Sequence, residues 1–465
     1  MPSWTATFKW SKAGAVGYPG SRLRAKRLAS SCSIRDARPA LAGRGPSTEV
    51  AIQQATCTDA ERPGEYARLL GRPVWPLVLA LLGTACEGEP ETVVVSGDDA
   101  VIVENSLIPQ ERGVPWTIAT APELSIGLGE AEDAHHLFLV RDAVVLEGGR
   151  IAIANGGTGE IRIFEPDGAH VVSMGGAGEG PGEFRRLEAI ARWAGDSILG
   201  WDGRQQRISV FDAAGQHGRT FRVPQFNDSF GAELLGVTPD ARFFVRAGFP
   251  QRGDEPFRGM FRPDQMYALL TGTGEVAVDL GVHPGAEGFL SAGGDFESFY
   301  GHPHAKSTVA TVWGERVLIS PNDVFELRAF TLDGQPSMTV RLDYETARPT
   351  QEDMWRWFED FTTDDTPEER AAFRRMFDEF PLLESFPAFA AIVVDEFDHV
   401  WVRELRTPGD QRAIWVVFDR NGVALGRVET PPGLEVYEIG ADYILGLARD
   451  EFDVEGVQRW PLIRQ

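Results

Sequence analysis

Eight arginines in polar, glycine- and proline-rich stretches are the residues of this 465-residue chain best suited to hold a ligand. They are Arg204, Arg207, Arg252, Arg258, Arg262, Arg406, Arg412 and Arg449. A guanidinium presents a planar fork of donors that matches carboxylate or sulfate two bonds at a time. Their chemistry would be recognition of an anion, such as an acidic sugar. The competing reading is that they are solvated arginines paired with nearby Asp and Glu, which mean little. His304, in His302-Pro303-His304, joins the binding candidates; two histidines without a third ligand are a poor metal site. No GxSxG, HExxH or CxxC motif occurs, so no catalytic residue is assigned.

The elements that must position these side chains are β-strands in a repeat. A pattern of apolar, any, apolar, bulky apolar, three residues and Gly recurs as "IRIFEPDG" (161–168), "ISVFDAAG" (208–215), "YALLTGTG" (267–274), "LRAFTLDG" (327–334) and "WVVFDRNG" (415–422). The first two belong to a longer alignment, "RIAIANGGTGEIRIFEPDG" with "SILGWDGRQQRISVFDAAG", at a constant offset of 47 residues. Self-similarity at this period marks an array of one supersecondary unit. Short runs rich in Val, Ile, Phe and Trp, separated by turn signals, read as strands. The Asp/Asn-Gly pieces read as hairpin turns. Four strands per unit predict a β-propeller. Five units carry the glycine pattern. A sixth, "LEVYEIG", "YILGLAR" and "GVQRWPLI", lacks one strand, which "WTIAT" (116–120) would supply, removing an exposed edge. The fold class expected is therefore all-β, a six-bladed β-propeller over residues 112–465 closed by an N-terminal strand.

"GGAGEGPGEF" (175–184) invites reading as a phosphate loop. Its spacing is neither GxGxxG nor GxxxxGK[ST], its two glutamates would repel phosphate, and no helix follows. It reads as the bend that carries the chain from the rim of one sheet to the centre of the next. This segment, with "IRIFEPDG" before it and "GDSILGWD" after it, resembles the bacterial six-bladed β-propeller family related to NHL-repeat proteins. Many of that family are lipoproteins of unknown function. The resemblance implies the fold over about residues 112–465 and carries no catalytic residue.

Six-bladed propellers also include lactonases that hold one Ca²⁺ by Glu, Asn and Asp. By that analogy Asn155 and Asp202, at equivalent strand ends, and Glu188, on an inner strand, are the calcium candidates. No other cofactor is implied.

Turn lengths assign a working face. First-to-second and third-to-fourth strand turns are short. The other connections are long, among them residues 250–265, 293–305, 406–412 and 449–455, and carry the arginines. Between the fourth and fifth units, residues 346–381 break the β pattern. Thr350 and Thr366 precede acidic first turns, the second with Pro367 at the first helical position. This predicts a helical hairpin, either a lid or a pair of helices whose aromatics pack on their own blades.

Formal net charge is −24. Residues 1–75 carry 12 Lys+Arg against 5 Asp+Glu, so the remainder carries −31. Such a body argues against nucleic acid and against charge-driven docking on anionic lipid. The three cysteines, Cys32, Cys57 and Cys86, leave the rest of the chain without disulfide or thiolate chemistry. "LLGRPVWPLVLALLGTACEGEPE" (69–91) has a positive start, a short apolar run and small residues before Cys86. It reads as a signal peptide, 69–86, with Cys86 as the lipidated residue. Residues 1–68 read as a disordered arm or an over-extended start, and 87–111 as a linker. The sum is an extracytoplasmic, lipid-anchored binding module of the cell envelope. Its partner would be a small molecule, a glycan or an envelope protein. The alternative is a calcium-dependent hydrolase.

Overall fold

The computed structural model describes residues 92–96, 100–106, 112–129, 133–223, 231–248, 258–293, 296–362, 366–405 and 412–464. These residues are mostly β, and most of their sheets are antiparallel with four strands, consistent with a β-propeller.

The chain enters through a hairpin, β1 (Thr92–Ser96) and β2 (Val101–Asn105), then β3 (Trp116–Ile118) and β4 (Leu124–Ile126). One sheet follows from β5 (Val140–Val145), β6 (Ile151–Asn155), β7 (Glu160–Phe164) and β8 (His170–Gly175). The next contains β9 (Leu187–Trp193), β10 (Ser197–Asp202), β11 (Arg207–Phe211) and β12 (His217–Arg222). The third pairs β13 (Ala232–Val237), β14 (Phe243–Gly248), β16 (Asp264–Leu270) and β17 (Val276–Pro284); β15 (Gly259–Phe261) leaves it to join β18 (Gly288–Gly293) and β19 (Phe296–Gly301). The sheet after that holds β20 (Thr308–Trp313), β21 (Arg316–Pro321), β22 (Glu326–Thr331) and β23 (Pro336–Leu342). Helices α1 (Gln351–Phe361) and α2 (Pro367–Phe377) precede β24 (Ala391–Val394), β25 (Val400–Arg403), β26 (Ala413–Phe418) and β27 (Ala424–Thr430). The last sheet joins β28 (Glu435–Ile439), β29 (Tyr443–Arg449) and β30 (Glu455–Arg464) to β3.

The core lies between sheets. One cluster packs Ala152, Ile161 and Met174 against Ile190, Ile198 and Phe211; another packs Trp201 and Ile208 against Leu234, Phe243 and Val245. Further clusters join each later sheet to its successor, and one joins Tyr437, Tyr443 and Leu445 to Val140, Ala143 and Ile153. First strands also meet in succession, β5 with β9, β9 with β13, β13 with β20, β20 with β24, β24 with β28, and β28 with β5. Every β6-type strand is therefore covered on both faces, which is why "IAIAN" is buried throughout instead of alternating. The five glycines of the repeat, Gly168, Gly215, Gly274, Gly334 and Gly422, all take positive φ at the turn from third to fourth strand.

Two expectations change. Part of residues 87–111, read as a linker, is the β1–β2 hairpin. β2 pairs in parallel with β23, and the following segment runs along β27 through Val114 N–H to Arg427 O and Arg427 N–H to Arg112 O, both 2.9 Å. Buried Asn105 fastens it: its Nδ2 donates to Arg341 O and Gly422 O, and its Oδ1 accepts from Ala424 N. Second, part of the long connections at 250–265 and 293–305 is strand, in β15 and β19. The helix starts are as the sequence implies, with a Thr350–Asp353 capping box on α1 and Pro367 opening α2. Their aromatics do not simply pack on blade strands. Met354, Phe358 and Phe377 cluster with Met260, Phe289 and Tyr300 of the β15–β18–β19 sheet.

Candidate functional site

Arg141 and Glu188 hold the same place in successive sheets, 47 residues apart. In the β5–β6 ladder Val140 faces Asn155 and Asp142 faces Ala154, so Arg141 is the extra residue. In the β9–β10 ladder Leu187 faces Asp202 and Ala189 faces Trp201, so Glu188 is the extra residue. A bulge re-aims its side chain out of the pleat. Both residues stand on first strands, near the start, and those strands touch.

The Nε of Arg141 is buried and makes no hydrogen bond, and no ion pair to it occurs among the described residues. Gly156 makes room for it: a Cβ there would meet Arg141 Cγ at 2.8 Å and Nε at 3.1 Å. Burial pulls its pKa down, opposed by Glu188, Tyr437 and Glu455, while Arg186 reinforces the fall. Glu188 lies 2.8 Å from Arg186 Nε through Oε1. Its carboxyl sits where a Cβ on Gly203 would be, 1.6 Å from Oε2. Burial raises the Glu188 pKa, Arg186 and Arg141 oppose this, and Glu233 and Asp202 add to it. The row continues on the next sheet, where Arg246 donates to Glu233 Oε2 from Nε at 3.0 Å and Nη2 at 2.8 Å. Burial disfavours the Arg246 charge, but Glu233 and Tyr267 outweigh it and raise the pKa.

The sequence-assigned arginines have other work. Arg207 is only 6% exposed. It donates to Glu179 O at 3.0 Å and Gly180 O at 2.7 Å, and also to Glu183 O, so it clamps the "GGAGEGPGEF" crossing. That crossing ends in Phe184, buried against Gly175 and Gly200. Arg258 bonds Glu379 at 2.9 Å, Arg262 bonds Asp323 at 2.8 Å and Gly285 O at 2.8 Å, and Arg449 bonds Glu455 at 2.9 Å. Arg204 is exposed, and Arg412 is exposed immediately before β26. Arg252, Arg406 and Cys86 lie outside the described residues.

Of the calcium candidates, two are latches. Asn155 Oδ1 accepts from Phe138 N at 2.8 Å, and Asp202 Oδ2 accepts from Arg185 N at 2.7 Å. Asn322, after β21, does the same for Ser307 N at 2.7 Å. Each pins the chain where it enters the first strand of its sheet. Asp202 also accepts from Arg186, Arg204 and Gln205 backbone N–H groups. Among the described residues no three His, Cys, Asp or Glu side chains group as a metal-ligand set.

His304 is buried at the foot of the helices. Its ring meets Phe386 edge-on at 4.7 Å, and its Nε2 has no hydrogen-bond partner. His302 donates from Nε2 to Pro381 O at 2.9 Å and stacks on Phe380. Burial lowers both histidines to a pKa of about 4. They are joints between the helical segment and the strand β20 that follows them.

Sequence reasoning missed Arg141, Arg186, Glu233 and Arg246. The signal for Arg141 was present: the 47-residue offset, extended nine residues towards the N-terminus, places it on Glu188.

No family model matches the chain, and no curated protein matches it. Solved structures do. A Bacteroides fragilis protein described as exported is 12% identical, with 78% of this chain and 99% of that one covered at a TM-score of 0.44. A DUF4221-family member from Bacteroides vulgatus is 13% identical over 77% and 100% of the two chains, at a TM-score of 0.43. Virginiamycin B lyase from Staphylococcus aureus is 10% identical over 75% and 99%, at a TM-score of 0.35. Among the described residues no helix is long and apolar enough to cross a membrane.

Proposed function

We propose that this chain is a six-bladed β-propeller, with a helical insertion between its fourth and fifth blades, that binds a small organic anion at the centre of the ring of first strands. Arg141 is the anchor. The observation that carries this reading is the pair of equivalent bulges, one presenting a guanidinium without an ion-pair partner among the described residues, the other the carboxyl of Glu188. An arginine held in partial burial gains strongly from an arriving carboxylate, because the interaction replaces a desolvated charge with a charge-assisted pair. Signal-peptide export and a lipid anchor at Cys86 complete the proposal, with the binding face presented in the cell envelope.

The calcium-dependent hydrolase reading keeps less support. Asn155 and Asp202 spend their oxygens on backbone N–H groups, leaving Glu188 alone of the three near the centre.

The test is a saturation-transfer NMR screen of the full chain against acetate, benzoate and glucuronate, with titration of whatever is retained. Arg141→Ala should weaken it by tenfold or more, about the value of one charge-assisted contact. Arg204→Ala, on an exposed side chain, should not. Equal affinity of wild type and Arg141→Ala would remove the reading.

A further inference from the structure

Two phenylalanines on the same rim are exposed, and no core cluster contains them. Phe138 is 45% exposed and Phe452 79%. Phe138 stands on the segment entering β5. Its backbone is fixed on both sides, N–H to Asn155 Oδ1 and carbonyl to Gly157 N–H, both at 2.8 Å. Its ring lies directly on Gly157, where a Cβ would meet Cδ1 at 2.2 Å. Arg141 lies on Gly156, the adjacent residue. The ring and the guanidinium stem thus lie on consecutive glycines of one turn. Phe452 sits on the turn closed by Asp453 N–H to Asp450 O. That turn leads into Glu455, whose Oε2 accepts from Val140 N at 2.7 Å. The two phenylalanine-bearing loops are therefore tied together beside Arg141.

We infer that the ligand is a carboxylate carried on a flat ring, its anionic group on Arg141 and its ring on Phe138, with Phe452 at the outer edge. This rests on the anion-binding reading above and names the ligand class for that site. An exposed aromatic is ordinary on a surface; one immobilised against glycine backbone beside a guanidinium is a platform with a charge at one end. Aromatic faces add attraction for a second ring beyond the area they bury. The Phe138 ring is also held before the ligand arrives, which lowers the cost of ordering on binding.

The experiment compares benzoate with acetate, matched in charge and differing in the ring, on the full chain by NMR titration. Wild type should bind benzoate more tightly. Phe138→Ala should weaken benzoate by about fivefold and acetate by less than twofold, the size expected for one aromatic pair. Phe452→Ala should act in the same sense and less. Phe138→Ala leaves both backbone bonds in place, and a circular dichroism melt checks that it folds as the wild type does. If Phe138→Ala weakens both acids equally, or neither, the ring platform is overturned while Arg141 can still stand as the anchor. If Arg141→Ala leaves acetate and benzoate binding unchanged, or the wild type binds neither acid at millimolar concentration, the anion reading itself falls and this inference with it.

Discussion

Arg464 Nη1 lies 2.8 Å from Asp395 Oδ2, tying the last strand of the chain to the turn between β24 and β25. Asp395 is buried, and the same carboxylate accepts from Trp401 Nε1 at 3.0 Å and from the backbone N–H groups of Phe397 and His399. The Arg464 guanidinium lies over Trp116 of β3 at 4.5 Å. One carboxylate thus braces the sheet in which β30 pairs with β3 against the turn of the sheet before it. Asp395→Ala leaves the Arg464 charge without its carboxylate, though Nε and Nη2 keep Ala441 O and Gly440 O, and leaves the buried Trp401 N–H without its acceptor. It should cost about 3 kcal/mol of unfolding free energy, at the lower end for a broken buried pair. Urea unfolding checks it; a loss below about 1 kcal/mol would assign closure to the apolar contacts alone.

Asp202 makes the opposite demand on an experiment. Its two oxygens serve four backbone N–H groups and the Gln205 amide, and this leaves little for a cation. Thermal unfolding of the full chain in EDTA and in millimolar Ca²⁺ should give the same midpoint. Asp202→Ala should lower stability by about 1–2 kcal/mol, because several partly buried donors lose their partner at once. Any ion bound only by the folded state would raise the midpoint by mass action. A rise of several degrees with Ca²⁺ would therefore return Asp202 and Glu188 to a metal site.

The strand pattern was legible because it depends on local chemistry. The turn glycines at positive φ and the apolar runs between them are set by steric rules that act within a few residues. The site was harder for a physical reason. An arginine's role depends on which acceptors surround it. Arg207 and Arg262 read as ligand residues until the carbonyls of Glu179, Gly180 and Gly285 are seen beside them. The hairpin at residues 92–105 lies within 87–111, which reads as a linker because a polar stretch follows Cys86. What gives it structure is the edge of β23, more than two hundred residues away. A two-stranded hairpin is marginal by itself, so its stability comes from that distant edge and from the Asn105 bonds to Gly422 and Ala424. The bulge that turns Arg141 out of its strand is likewise a property of the ladder and not of the residue.

His302 and His304 predict acid sensitivity. Folding lowers both to a pKa of about 4, against about 6.5 when unfolded. Above pH 6.5 both states are neutral and the histidines do not affect stability. As pH falls from 6.5 towards 4 the unfolded chain takes up protons that the folded one does not, so stability drops. Between pH 7 and pH 5 the loss should be about 2 kcal/mol for each histidine. His304→Phe, which keeps the ring packed on Phe386, should remove about half of that pH dependence in urea unfolding. An unchanged slope would mean that His304 is hydrated and titrates normally.

Glu188 gives the anion site its own pH dependence, of a different sign from a simple arginine pocket. Burial first, with Glu233 and Asp202 adding to it, raises the Glu188 pKa against the opposing pull of Arg186 and Arg141. In its protonated form the carboxyl is neutral and can donate a hydrogen bond to an arriving carboxylate; ionised, it repels one. Affinity for benzoate should therefore fall as pH rises through the Glu188 pKa, while Arg141 stays charged across the whole range. Glu188→Gln keeps the shape, donates at every pH and cannot ionise. It should flatten the profile and bind at least as tightly as the wild type at high pH. Titrations at several pH values on both proteins decide it. Parallel profiles in the two would place the titrating group elsewhere, and a Glu188→Gln protein weaker at every pH would mean that the ionised carboxylate positions Arg186 and Arg141 for the ligand.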